Sequence, residues 1–268
     1  MLFRSLGRLP QWCSRLWSHP ALPSVGNLRR AASPWIFRGL VALVGVIAAY
    51  GFANYALLLG HVTLPQWLDL LRSTGATFAR VLASVVLGSL WTIPAGVAIG
   101  RDPRLSGRWQ PVLQWAASFP APMIFPVIVG ALMSLGVGLG IGSIALMVLG
   151  TQWYILFNVI AGTSRIPRHL WEVARLVPFT PGQRWRRLIL PGIFPHLVTG
   201  WITAVGGAWN ASIVAEYLRY QGRTLETVGL GAAISRATER GEFHLLAAGV
   251  GLMAVTVVGF NRVVWRRL

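Results

Sequence analysis

No lysine occurs in the 268 residues, although 24 are basic; every one is arginine. Cysteine occurs once, at Cys13, which excludes an internal disulfide framework and a cysteine-built metal site. Acids are equally scarce: seven Asp and Glu, within a charged fraction of only 12%. No GxxxxGK[ST] phosphate loop is present, so nothing here would hydrolyse ATP, and without an HExxH pair a membrane zinc protease has no support. His19, His61, His169, His196 and His244 are dispersed along the chain. No catalytic centre, metal or cofactor is therefore expected. What is abundant is apolar: 54% of residues, and roughly 65% once the 30 glycines are added, against ~45–50% in ordinary soluble domains. The net charge of +17 invites a nucleic-acid reading. A soluble nucleic-acid domain could not hide this much hydrophobic surface, and disorder needs few apolar residues.

Charges instead mark the edges of apolar runs. An ionised side chain at the bilayer centre costs at least ~2.5–3.5 kcal/mol on insertion scales, so charge-free gaps are candidate spans. Residues 39–68, 81–100, 188–215 and 243–261 form gaps of 30, 20, 28 and 19 residues. Residues 109–164 form a gap of 56, too long for one helix when ~20 residues cross the hydrocarbon. Splitting it near Gly136, Gly138, Gly140 and Gly142 gives six expected spans: 38–60, 78–100, 111–134, 140–161, 193–215 and 244–264. Prolines at 94, 120, 122, 126 and 195 are tolerated where neighbours satisfy the freed backbone groups. Gly96 and Gly100 form a small-xxx-small pair. The expected class is an all-α membrane protein with six transmembrane helices in a lipid bilayer.

Six spans put both termini on one side. That side carries 18 arginines with Asp102 and Glu172; the other carries six arginines with Asp69, Glu216, Glu226, Glu239 and Glu242. The positive-inside rule then makes both termini cytoplasmic. Residues 1–35 lack an apolar signal core and are interrupted by Pro10, Pro20, Pro23 and Pro34. Trp12 and Trp17 with Arg15 suit the cytoplasmic membrane face; a solvated basic tail is the alternative. The expected organisation is thus a segment 1–35 and a six-span domain 36–268. On this topology Gly142-Ser143 lies in an outer turn and His196 near the cytoplasmic end of the fifth span, so a rhomboid-like Ser/His pair would be split across the membrane.

The loop 163–192 reads as two short helices. Pro167 suits an early helix position. Leu170, Ala174 and Val177 recur at i, i+4 and i+7 as one apolar stripe, with Glu172 on another face. Pro178 ends the first helix. Thr180, Pro181, Gly182 and Gln183 read as a capping box with proline at the first helical position. Arg184, Arg186 and Arg187 make the second half strongly basic. A solvated loop obeying the positive-inside rule would look similar; an amphipathic pair invites a partner.

These residues resemble the "EAA" motif of permease subunits of binding-protein-dependent ABC importers: Glu-Ala-Ala, three residues, Gly, nine residues, Ile, one residue, Leu-Pro. Glu172, Val173 and Ala174 fill the first block, and Leu190-Pro191 close the pattern with its spacing intact. Val173, Pro178 and Leu188 stand where the motif has Ala, Gly and Ile. Pro178 is the largest departure, because glycine can take positive φ and proline cannot. The resemblance extends over 74–268, and GGAWNASIVAEY in the fifth span looks like the nitrate, sulfonate and taurine branch. It implies a type I importer (MetI-like) permease fold in a bacterial inner membrane. It also implies a second permease domain, two cytoplasmic ATPase subunits that receive the loop, and a periplasmic binding protein that delivers a small, anionic solute. Leu170, Glu172, Ala174 and Val177 would form the contact core.

Polar residues inside spans are pathway candidates: Ser118, Ser134, Gln152, Asn158, Thr199, Thr203, Asn210 and Ser212. Interhelical hydrogen bonding is the plainer role for such residues. Glu216 is expected at the outer end of the fifth span as a cap or gate, or as an interfacial acid paired with Arg219. Segment 222–243, with Leu225, Val228, Leu230 and Ile234 apolar, is expected along the outer interface. Two other function classes remain open at this point: a secondary transporter or channel without an ATPase, and a basic membrane-tethered interaction protein. The first would need ionisable residues deep in a span, and none is found there.

Overall fold

The computed structural model describes residues 34–265; the Trp12–Arg15–Trp17 expectation, Cys13, His19, Arg266 and Arg267 lie outside them. The chain divides into two units at Leu57/Leu58. The first contains most of α1 (Pro34–Gly60), a 27-residue helix with one charge, Arg38, near its start. An all-round apolar helix of this length suits a bilayer.

The second unit holds the remaining elements. α2 (Leu64–Arg101) has 38 residues, about 57 Å at ~1.5 Å per residue. It begins 14 residues before the expected start at 78, because Thr63 opens the helix there: its N–H donates to Gln66 Oε1 at 2.9 Å. The span expected at 111–134 is not one helix. α3 (Pro103–Ser118) and α4 (Ala121–Ser134) meet at 79° across Phe119-Pro120. Pro120 and Pro122 supply no N–H groups to carry the helix through, and Phe119 is extended at ψ 127°. A Cβ on Gly150, partway along α5 (Leu139–Ser164), would touch Ala121, so the break lies well inside the helical layer. The turn expected at the glycine cluster forms, with Gly136 at φ 74°.

α6 (Arg168–Leu176) and α7 (Pro181–Arg184) make the loop, and a π-helical turn (Trp185–Ile189) feeds α8 (Leu190–Ala215). A hairpin missed in the sequence follows: β1 (Tyr217–Tyr220) pairs with β2 (Arg223–Glu226) around Gln221-Gly222, both at positive φ. α9 (Leu230–Arg240) and α10 (Phe243–Phe260) complete the unit. Five described helical stretches are long and apolar enough to cross a membrane; counting the bent α3–α4 pair gives six.

α5 packs between α2 and α8. The core there includes Val81 and Val85 of α2, Leu146, Met147 and Ile155 of α5, and Ile193, Leu197 and Ala204 of α8. Several buried hydroxyls bond within their own helices, as Thr92 Oγ1 does to Gly88 O and Thr163 Oγ1 to Val159 O. The small-xxx-small pair is where the backbones approach closely. A Cβ at Gly100 would lie 2.6 Å from Ile160 O, and one at Gly96 2.7 Å from a Val159 methyl. Gly100→Ala is therefore expected to destabilise the unit by about 1–3 kcal/mol, the usual range for overpacking. Gly107→Ala, which meets nothing within 4 Å, is the control. Thermal unfolding of the purified variants checks both.

Segment 222–243 also differs from expectation. It holds the second strand of the hairpin and then α9, and Leu230 and Ile234 are buried in the core while Val228 is exposed. The α9 stripe closes the unit against α8 and α10.

Candidate functional site

Two constellations stand at opposite ends of the second unit. At the loop end, α6 is a nine-residue helix with one inward and one outward face. Trp171 packs against the core, with the Arg101 guanidinium 5.0 Å from its ring centroid, a cation–π contact that ties α6 to the end of α2. Ala174 is buried beside it at 3% exposure. The outward apolar surface is therefore Leu170, Val173, Leu176 and Val177, with Glu172 exposed among them. Leu176 is 85% exposed, far more than a lone surface leucine needs in an otherwise basic loop. Ala174, expected in the contact core, faces into the protein. The capping box forms as expected: Thr180 N–H donates to Gln183 Oε1 at 3.0 Å, and Gln183 N–H to Thr180 Oγ1 at 3.3 Å. Pro178 and Gly182 are exposed, Arg184 and Leu188 are half-buried, and Leu190 and Pro191 open α8.

At the hairpin end, Glu216 caps α8 and is completely buried. The expected pairing with Arg219 does not occur. Arg80 Nη1 donates to Glu216 Oε1 at 2.8 Å, and the Thr77 hydroxyl lies 2.9 Å from both carboxylate oxygens. Gly231 N–H, at the second residue of α9, donates to Oε2 at 3.0 Å. Arg80 also donates to Val228 O, Thr227 Oγ1 and Gly140 O, and Leu230 N–H donates to Thr77 Oγ1. One carboxylate and one guanidinium thus clasp α2, α5, α8, the segment 227–228 that follows the hairpin, and α9. A Cβ on Gly229 would collide with the Glu216 carboxylate, so close approach requires glycine there. Arg219 pairs instead with Glu239 at 3.2 Å. The Tyr217 hydroxyl, which donates to Glu239 at 2.6 Å, chiefly holds that exposed carboxyl below its ordinary value.

The remaining polar candidates are scattered. Ser118 and Ser134 are exposed and bond to their own helices. Thr199, Thr203 and Asn210 lie on the exposed side of α8, the two threonines bonded to carbonyls one turn back. Gln152 and Asn158 are half-buried on α5, and Ser212 is buried. Of these the structure brings together Asn158 and α8: a Cβ on Gly200 would lie 3.1 Å from the Asn158 Cβ. Glu216 is committed to the clasp. Ser143 is in the first turns of α5, and His196 packs against Gly162. About 28 Å of helix, 19 residues at ~1.5 Å, separates those two positions, so no Ser/His pair forms. Among the described residues, no group of three His, Cys, Asp or Glu could hold a metal ion.

Known proteins resemble this chain in sequence and in fold. The taurine transport system permease protein TauC of Escherichia coli (strain K12) is 25% identical over 181 residues, 67% of this chain and 62% of that protein. The putative aliphatic sulfonates transport permease protein SsuC of Bacillus subtilis (strain 168) is 25% identical over 224 residues, 81% of this chain and 77% of that protein. The nitrate import permease protein NrtB of Leptolyngbya laminosa is 25% identical over 191 residues, covering 69% and 65%. The chain thus spans less than two thirds of the taurine protein's length. Among solved structures, a chain of the inward-facing MetNI methionine ABC transporter has the same fold, with TM-score 0.59 at 20% identity over 75% of this chain and 94% of that one. Residues 88–264 match the sequence model of one family. The chain belongs to that family, the binding-protein-dependent transport system inner membrane components.

Proposed function

We propose that this chain is the transmembrane subunit of an ABC importer, which moves a small anionic solute by alternating access driven by separate ATPase subunits. The observation that carries this reading is the loop end. A rigidly anchored helix presents Leu170, Val173, Leu176 and Val177 to the outside, in a chain with no nucleotide-binding loop of its own. Apolar side chains ringed by Glu172 and arginines suit a protein groove, where charge sets register and packing sets affinity. Relatives whose names specify taurine, which bears a sulfonate group, aliphatic sulfonates and nitrate support the anionic solute.

In this reading the loop end and both termini are cytoplasmic, by the 18-to-six arginine asymmetry. The six-span domain begins near residue 36, after the basic segment 1–35. A second permease domain, identical or homologous, completes the pathway in a bacterial inner membrane. Thr203 and Asn210 on the exposed side of α8, with Ser118 at the α3–α4 break and Gln152 and Asn158 on α5, are the pathway candidates. The hairpin and α9 face the periplasm, where a cavity of about 450 Å³ bordered by Asp69, Arg72, Glu226, Arg236 and Glu242 offers both charge signs to a binding protein.

The test is uptake of radiolabelled taurine, nitrate and bicarbonate into proteoliposomes that hold the complex purified through this chain with its binding protein. Uptake of at least one anion only when ATP is enclosed on the loop side is expected. Uptake driven equally by an ion gradient without ATP would make the chain a secondary transporter or channel.

A further inference from the structure

Nine residues are too few to hold a helix in isolation, so the direction in which α6 presents its outward face depends on what fastens it. Arg101 over Trp171 fastens the first half. The second half has a problem written in the sequence. A helix end leaves its last four carbonyls without intrahelical donors. The common remedy is a glycine just past the last turn, whose positive φ folds the following N–H groups back onto those carbonyls. Pro178 occupies the motif's glycine position, with no N–H and a fixed φ, and it forces the preceding residue out of the helical region. Val177 is accordingly extended, at φ −85° and ψ 134°. Val177 N–H still reaches Val173 O at 3.1 Å, but Phe179 N–H turns to Val177 O at 2.7 Å instead of to the helix.

The Arg184 guanidinium comes back to this end from α7. Its Nη2 lies 3.5 Å from Ala174 O, and its Nε is shielded from solvent with no hydrogen-bond partner among the described residues. A cation at a helix C-terminus also opposes the negative end of the helix dipole. We infer that Arg184 is a positioning residue of the coupling loop, replacing the missing glycine cap of α6 by donating to its carbonyl end. The two short helices then move as one body, and Pro178 and Arg184 form a compensating pair. This rests on the transport reading for its consequence but not for its geometry.

The test uses the full chain in nanodiscs, with two readouts: hydrogen exchange across 170–177, and ATP hydrolysis and uptake by the complex purified through it. Arg184→Gln is expected to raise exchange in that segment and lower uptake per ATP, each roughly tenfold, the scale of a lost terminal cation. Adding Pro178→Gly to Arg184→Gln restores an N–H and free φ, and both readouts should return to within about twofold. A double variant as impaired as Arg184→Gln, or an Arg184→Gln chain with unchanged exchange, overturns the inference. If instead the wild-type chain retains no ATPase, the transport reading fails while the exchange arm still decides Arg184.

Discussion

Replacing Glu216 with alanine is expected to lower the stability of the second unit by about 3–5 kcal/mol, the usual result of removing one partner from a buried ion pair. The size follows from what is left behind. Arg80 has only 14% of its side chain exposed, and Glu216 none. Without the carboxylate, the guanidinium keeps the carbonyls of Gly140 and Val228 but loses its counter-charge. Thr77 and Gly231 lose the acceptor they share. Glu216→Gln keeps the volume and should recover little of the loss, because the charge is what is missing. The double variant Arg80→Met, Glu216→Leu removes both charges and should be less damaging than either single change, since an apolar pair needs no desolvation compensation. Thermal unfolding of the purified variants, with hydrogen exchange read over 217–240, measures this. Single variants within about 1 kcal/mol of wild type would mean that the pair behaves as an exposed surface bridge.

Placing a charge on the outward face of α6 is the second large effect. Val173→Asp or Leu176→Asp should leave the fold unchanged, because both side chains stand in solvent at 50% and 85% exposure. It should weaken retention of the ATPase by about 30-fold or more, the scale of a ~2 kcal/mol hot spot at an interface. Ala174→Asp gives a different result: with Ala174 at 3% exposure, the substitution buries a carboxylate, and loss of folding precedes any loss of docking. Comparing the melting temperature with the ATPase retained on the purified chain separates the two classes. Equal retention by Leu176→Asp and wild type would remove the outward face from the interface.

Much of this architecture was legible in where arginine and acids are not. Five charge-free gaps locate the spans because a bilayer penalises ionised groups more than any other local signal. The ends were less legible. Asp69 ends one charge-free gap and Arg72 follows it, yet α2 runs through both because it extends beyond the apolar stretch. The break at Phe119-Pro120 was masked because proline is tolerated in membrane helices, so its position alone does not say kink or stop. The EAA spacing pointed to α6, but a nine-residue helix offers two overlapping stripes, one through Ala174 and one through Val173. The larger Trp171 anchors the inner face under Arg101, and that contact lies 70 residues away in the chain. The Arg80–Glu216 clasp is more distant still, at 136 residues. Its only trace was that opposite charges end two spans on the same side. The hairpin had only a weak local trace, because Gln221-Gly222 puts glycine at one turn position but lacks the Asn or Asp that usually precedes it in a two-residue turn.

The single cysteine makes the central claim directly measurable. In a Cys13→Ser background, Leu176→Cys places one thiol at the most exposed apolar position of α6. Labelling by a membrane-impermeant maleimide is compared between inside-out vesicles carrying the intact complex and the same vesicles stripped of peripheral subunits with urea. If α6 docks the chain onto a separate ATPase, position 176 is protected in the intact complex and labels readily after stripping. Equal labelling before and after would contradict the account.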